Sequence, residues 1–89
     1  MLSVTTSMLG EISGFQISRL ASFYTIHSQV RYLYSQQSLY FMDDEFVIFI
    51  RNEKDEDVKV QGEKDWRKFI KKNPNLNTLL ISVVPLSMY

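Results

Sequence analysis

EFVIFIR, residues 45–51, is the strongest strand pattern in the chain. Its side chains alternate between two faces that are both apolar, with Phe46, Ile48 and Ile50 on one face and Val47 and Phe49 on the other. Because both faces must be covered, we expect an interior strand of a sheet. Residues 38–42 also suit a strand, and Asp43-Asp44 between the two segments predicts a β-hairpin.

The segments that follow alternate clearly between loop, strand and helix. A polar loop over 52–57 leads to a short strand over 58–61, whose Lys59 and Gln61 suit an exposed sheet edge. Gly62 introduces a helix over 63–72, with acidic residues in its first turn and lysines in its last, and Asn73-Pro74 ends it. The apolar stripe of this helix should lie on the sheet and consists of Trp66, Phe69 and Ile70. Residues 78–84 are almost continuously apolar and predict another interior strand.

The segment before residue 38 is ambiguous. Ser13-Gly14-Phe15-Gln16 fits a capping box, and the apolar residues after it are mostly three or four positions apart. This spacing predicts an amphipathic helix that ends at about Ser35. The competing interpretation is a strand, because residues 24–34 also contain alternating strand formers such as Tyr32 and Tyr34.

These elements give a fold class. The predicted order is α-β-β-β-α-β, in one domain that spans residues 1–89. Two helices should cover one face of a four-stranded, mainly antiparallel sheet, which is an α+β two-layer sandwich.

Composition limits the function classes. The 89 residues carry ten basic and ten acidic side chains and no cysteine, so there is no overall basic field for nucleic acid and no cysteine chemistry. The first nine residues do not resemble a secretory signal, and the longest apolar run, residues 79–86, is far short of the ~20 residues of a membrane helix. We expect a cytoplasmic protein without a membrane partner.

The charges that cancel overall are separated along the chain. Residues 43–57 hold seven acidic and two basic side chains, and residues 58–73 hold six basic and two acidic ones. The acidic residues lack the glycine and terminal glutamate of a calcium loop, so we expect a solvated rim and no metal site. His27 is the single histidine and has no partner motif, which favours a packing or interface role. No cofactor motif and no small-molecule site is evident, and a non-enzymatic protein is favoured.

One pattern suggests an alternative enzymatic function. Asp44, followed at a distance by Asp57-Val58-Lys59, is similar to the Asp…(Asp/Glu)-x-Lys signature of the PD-(D/E)xK nuclease superfamily. That resemblance implies that Asp44 and Asp57 would be metal ligands and that Lys59 would be the catalytic lysine. The sequence departs from the family pattern, because residues 52–56 are charged where the family has an apolar strand.

The second helix suggests a nucleic-acid interface. Its basic side chains lie away from the apolar stripe and could contact phosphates. An ordinary solvated helix face explains the same pattern, since acidic residues dilute the patch. The candidate residues are Lys64, Arg67, Lys68, Lys71 and Lys72.

The favoured function is a protein–protein interaction or regulatory module. The uncharged first and last segments carry more apolar surface than a small four-stranded sheet hides, which indicates self-association, as a homodimer, or a protein partner. The expected contacts are a ridge of Leu20, Phe23, Val30 and Tyr34, or the tail over 86–89.

Overall fold

The computed structural model describes residues 1–37, 46–86 and 89. Its elements are β1 (Leu2–Met8), β2 (Glu11–Ile17), α1 (Phe23–Gln37), β3 (Phe46–Arg51), β4 (Asp57–Val60), α2 (Glu63–Lys72) and β5 (Thr78–Pro85).

The chain begins with a β-hairpin, which the sequence interpretation placed partly in a helix. β1 buries alternate residues along its length and pairs with β2 in antiparallel register. Leu9 and Gly10 connect the strands, and their φ angles of 48° and 87° match the left-handed geometry of a two-residue hairpin turn. The predicted capping box at residues 13–16 is therefore wrong, because those residues form the middle of β2.

The described strands form one mixed sheet in the order β2-β1-β5-β3-β4. β5 lies at the centre, parallel to β1 and antiparallel to β3. The sheet has two strands that were not predicted, β1 and β2, and the β1–β5 pairing makes it mixed. β3 is interior as expected, with β4 on one side and β5 on the other. The first strand and turn of the predicted hairpin, residues 38–44, lie outside the described residues.

The first helix is real but begins later than predicted. α1 starts at Phe23, where the Ser22 hydroxyl accepts a hydrogen bond from the Thr25 N–H at 3.3 Å. Ile26, Val30 and Tyr34 are fully buried, at the four-residue spacing of a helix that packs one face on a sheet. The alternative strand interpretation of this segment is wrong.

The second helix has the predicted bounds, Glu63–Lys72. Trp66 and Phe69 are buried and Ile70 is half-buried, and the Trp66 indole N–H donates to the Ala21 carbonyl at 2.8 Å. Both helices share one core with the inner face of the sheet, as expected. Within the described residues, neither helix is long and apolar enough to cross a membrane.

The inner face also holds a buried polar pair. The Thr6 and Tyr34 hydroxyls lie 2.8 Å apart, and Thr6 also donates to the Ser13 carbonyl at 3.3 Å. Burial raises the pKa of the Tyr34 hydroxyl. The outer face of the sheet is more open, since Leu80 in the central strand remains 46% exposed.

Candidate interaction surface

The β3–β4 connection, residues 52–56, is an acidic loop held in one conformation by Asn52. The Asn52 side-chain oxygen accepts hydrogen bonds from the Lys54 and Glu56 N–H groups, both at 2.9 Å. Its main chain donates to the Glu56 carbonyl at 2.8 Å. Asp55 takes a positive φ of 62°, which an aspartate tolerates in a tight turn. The carboxylates of the acidic loop therefore project from a preorganised backbone.

A second asparagine fixes the acidic loop to the end of α2. Asn73 is only 7% exposed. Its side-chain oxygen accepts from the Glu53 N–H at 3.0 Å, and its amide donates to the Phe69 carbonyl at 2.8 Å. The Glu53 carboxylate in turn accepts from the Asn75 N–H at 2.8 Å. The loop and the helix are thus joined through one buried side chain.

Between the acidic loop and α2 lies an open groove of about 650 Å³. Val58 and Phe69 supply its apolar part. Its walls carry charges of both signs, with carboxylates from Glu53, Glu56 and Asp65 and ammonium groups from Lys54, Lys59, Lys68 and Lys72. An arrangement with both signs side by side favours a partner that also carries both signs.

The basic face of α2 is exposed as the sequence indicated. We call Lys64, Lys68, Lys71 and Lys72 the lysine stripe; all four are exposed. Arg67, the fifth predicted residue, is paired instead with Glu63 one turn earlier. The Glu63 carboxylate also accepts from the Phe23 N–H at 2.8 Å, and this bond, helped by Arg67, holds its pKa below the usual range. Nucleic-acid binding by this helix stays a prediction.

The predicted apolar ridge on α1 does not form one surface. Val30 and Tyr34 are fully buried in the core, whereas Leu20 precedes the helix and is 83% exposed. Phe23 is half-buried and contacts His27, with ring centroids 5.9 Å apart. His27 stacks on Phe46 at 4.5 Å, so the structure places it in a packed aromatic group. A contact role for Leu20 and Phe23 stays a prediction.

Two of the three nuclease-like residues have structural partners. Asp57 pairs with Arg51 at 3.3 Å across the β3–β4 ladder. The Lys59 ammonium donates to the Tyr89 hydroxyl at 2.9 Å and lies 4.4 Å from the centre of its ring. Asp44 lies outside the described residues. Among residues that the structure describes, no three carboxylate or imidazole side chains converge on a metal site.

Three solved structures with a similar architecture are PB1 domains. The AtNBR1-PB1 domain matches with a TM-score of 0.70 at 19% sequence identity, over 94% of this chain and 96% of that chain. The fold is PB1-like. The AtNBR1-PB1 filament (L-type), determined by cryo-electron microscopy, matches equally well, with a TM-score of 0.70, 20% identity and the same coverage. The PB1 domain of Cdc24p (long form) matches with a TM-score of 0.68 at 14% identity, over 91% of this chain and 95% of that chain.

No protein-family model matches the chain, and no curated protein matches it. The similarity to solved structures shows the fold alone, which has two helices and a five-stranded mixed sheet.

The two asparagines of the surface were also missed. Asn52 stands at the start of a charged run, which is the position of a residue that caps a turn with its side chain. That signal was present in the sequence. For Asn73 the sequence indicated only the end of a helix. Its partner Glu53 is twenty residues away, and only the fold brings the two together.

Proposed function

We propose that the chain is a protein–protein interaction module that binds a second copy of itself or another PB1-like domain through its charged surface. The observation that carries the proposal is the preorganised acidic loop beside the lysine stripe. A partner that meets fixed carboxylates loses less conformational entropy than one that must order them. The match to a PB1 domain from a filament, over nearly the whole of both chains, supports this function.

The charge distribution suggests how two copies would meet. Acidic and basic groups flank the same groove, so the acidic loop of one copy can approach the lysine stripe of the next. Opposite charges steer such an encounter and fix its register, although exposed pairs add little affinity each. Association should therefore be strongest at low ionic strength and weaken as salt is added.

Two charge variants test this arrangement. Asp55→Asn with Glu56→Gln removes two carboxylates from the acidic loop while retaining the turn, because asparagine tolerates the positive φ and glutamine retains the acceptor for Asn52. Lys68→Glu with Lys71→Glu reverses the lysine stripe. Glu11→Gln, at the opposite sheet edge, is the control for loss of one carboxylate.

Sedimentation at low salt is the measurement. We expect the wild type and the Glu11→Gln control to show salt-sensitive association, and each double variant alone to lose it. A mixture of the two double variants should associate again. The intact lysine stripe of the acidic-loop variant can meet the intact acidic loop of the other variant. The proposal fails if two results are found together. The first is that the wild type stays monomeric. The second is that every protein it captures also binds the acidic-loop variant.

A further inference from the structure

The β2 edge of the sheet lacks the features that normally protect an edge. β2 is the terminal strand of the described sheet, so the outward N–H and C=O groups of its seven residues face no other described strand. It contains no lysine, arginine or proline, and its one charge is Glu11 at the first position. A seven-residue, nearly neutral edge is a template for pairing with another strand.

The opposite edge of the same sheet shows the contrast. β4 has only four residues, and two of them are charged. Asp57 pairs with Arg51, and the Tyr89 ring lies over the ammonium group of Lys59. Short length and charge oppose strand addition at β4, so the chain protects one edge and leaves the other available.

The outer face beside β2 adds apolar surface. Ile12 in β2 is 73% exposed and Leu80 in β5 is 46% exposed. They line one shallow hollow of about 240 Å³, together with Thr5 and Ser7 of β1. An exposed isoleucine at a free edge gains burial when another strand is added.

The charge pattern of β2 permits antiparallel pairing with a second β2, because its one charge, Glu11, lies at the end of the strand. We infer that a second copy of the chain pairs with β2 about a two-fold axis at Gly14, which joins the two sheets. This register alone overlaps all seven residues. It places Ile12 opposite Gln16 and Ser13 opposite Phe15, and it places Glu11 opposite Ile17, so no like charges meet.

The register is also correct for the backbone. Even-numbered residues pair with even-numbered residues, and odd with odd. Alternate residues of an edge strand point their backbone N–H and C=O groups outward, so the outward groups of one copy meet the outward groups of the other. Side chains on the outer face of one copy continue on the outer face of the other. This neutral contact is separate from the charged surface and does not rest on the proposed function.

A charge-swap pair tests the register. Ile12→Lys with Gln16→Lys places lysines directly opposite each other at both symmetric positions, which is unfavourable. Ile12→Lys with Gln16→Glu places opposite charges there instead. Both sites are exposed and their neighbours on β1, Ser7 and Ser3, are neutral, so both variants should fold. Gly14 is left unchanged, because a Cβ there would lie 3.1 Å from the Val4 carbonyl oxygen.

Sedimentation is measured at low salt in the Lys68→Glu, Lys71→Glu background, which removes the charged contact without screening the charges introduced on β2. We expect this background alone to form dimers. Adding the two lysines should raise the dissociation constant at least about tenfold, and the lysine–glutamate variant should recover the dimer. Thermal unfolding confirms that both variants fold. If the double-lysine and lysine–glutamate variants dimerise equally well, the charge at position 16 does not matter and the register is overturned.

Cross-linking provides a second readout, because the natural chain has no cysteine. Ile12→Cys with Gln16→Cys should form an intermolecular disulfide, since directly opposed strand residues fall within disulfide range. Either cysteine alone should not, because identical positions are offset by four residues, or roughly 13 Å along the strand. Equal cross-linking by the single variants overturns the register, and a monomer at every concentration up to about 1 mM overturns the interface.

Discussion

Asn73 allows a quantitative test of how the acidic loop is held. Asn73→Ala removes two hydrogen bonds, one from the Glu53 N–H and one to the Phe69 carbonyl, and retains the backbone bonds that end α2. Each lost bond costs roughly 1 kcal/mol net, and more where the remaining partner is buried. We therefore expect the free energy of unfolding to fall by about 2 kcal/mol, which lowers the Tm by roughly 8–16 °C in a domain of this size.

Asn75 provides the matched control in the same segment. It is exposed, and its described contact to Glu53 uses its backbone N–H, which alanine also has. Asn75→Ala should change the unfolding free energy by less than about 0.5 kcal/mol. Urea unfolding followed by circular dichroism measures both variants.

Hydrogen exchange then separates loss of the clamp from general destabilisation. In Asn73→Ala, the Glu53 amide should lose protection beyond the change in global stability, because its acceptor is gone. Amides in β1, which Asn73 does not contact, should follow the global change alone. Equal effects of the two alanine variants, or unchanged protection of the Glu53 amide, would refute the clamp.

Two further predictions concern the core and the first turn. Tyr34→Phe should cost about 1 kcal/mol at neutral pH, because it removes a buried hydrogen bond. Burial raises the pKa of Tyr34, so the unfolded chain ionises first, and stability falls as the pH rises above about 10. Urea unfolding at several pH values should show a smaller decline for the variant than for wild type, and an equal decline would contradict the assignment. Leu9→Asn should stabilise by about 1 kcal/mol and Gly10→Ala should destabilise by a similar amount, because both positions have positive φ. A Cβ at Gly10 meets no atom within 4 Å, so thermal shifts of the same sign in both variants would contradict the turn geometry.

The parts of the fold that local signals specify were predictable. α2 was bounded correctly because Gly62, the charge order along the helix and Asn73-Pro74 all lie within one short segment. β3 and β5 were recognisable from their short apolar runs. The length of such a run and the residues that flank it distinguish a buried strand from a buried helix.

The first strands were missed because a local pattern was given too much weight. The capping box at residues 13–16 is only four residues long, and Phe15 and Gln16 suit a strand equally well. The alternation over 2–8 indicated a strand, but Thr6 at a buried position weakened the apolar pattern. The pairing of β1 with β5 joins residues about 75 positions apart, and no local signal specifies that.

The candidate surface was predictable in composition but not in geometry. The sequence separated the acidic and basic segments correctly, yet it could not show that they flank one groove. It also assigned Val30 and Tyr34 to a contact ridge, because an amphipathic helix presents the same pattern whether its apolar stripe meets its own sheet or a partner. Here Val30 and Tyr34 meet the chain's own sheet, and Leu20, which was also assigned to the ridge, is exposed.

The two proposed contacts lie at opposite edges of the sheet and differ in chemistry. The β2 edge is nearly neutral and is proposed to pair with a second β2 about a two-fold axis, so its contact closes after two copies. The groove beside β4 is charged and can join the acidic loop of one copy to the lysine stripe of another. If each copy uses the two-fold β2 contact at one edge and the charged contact at the other, the copies join into an open chain. Because salt weakens only the charged contact, added salt should reduce such chains to pairs joined at β2.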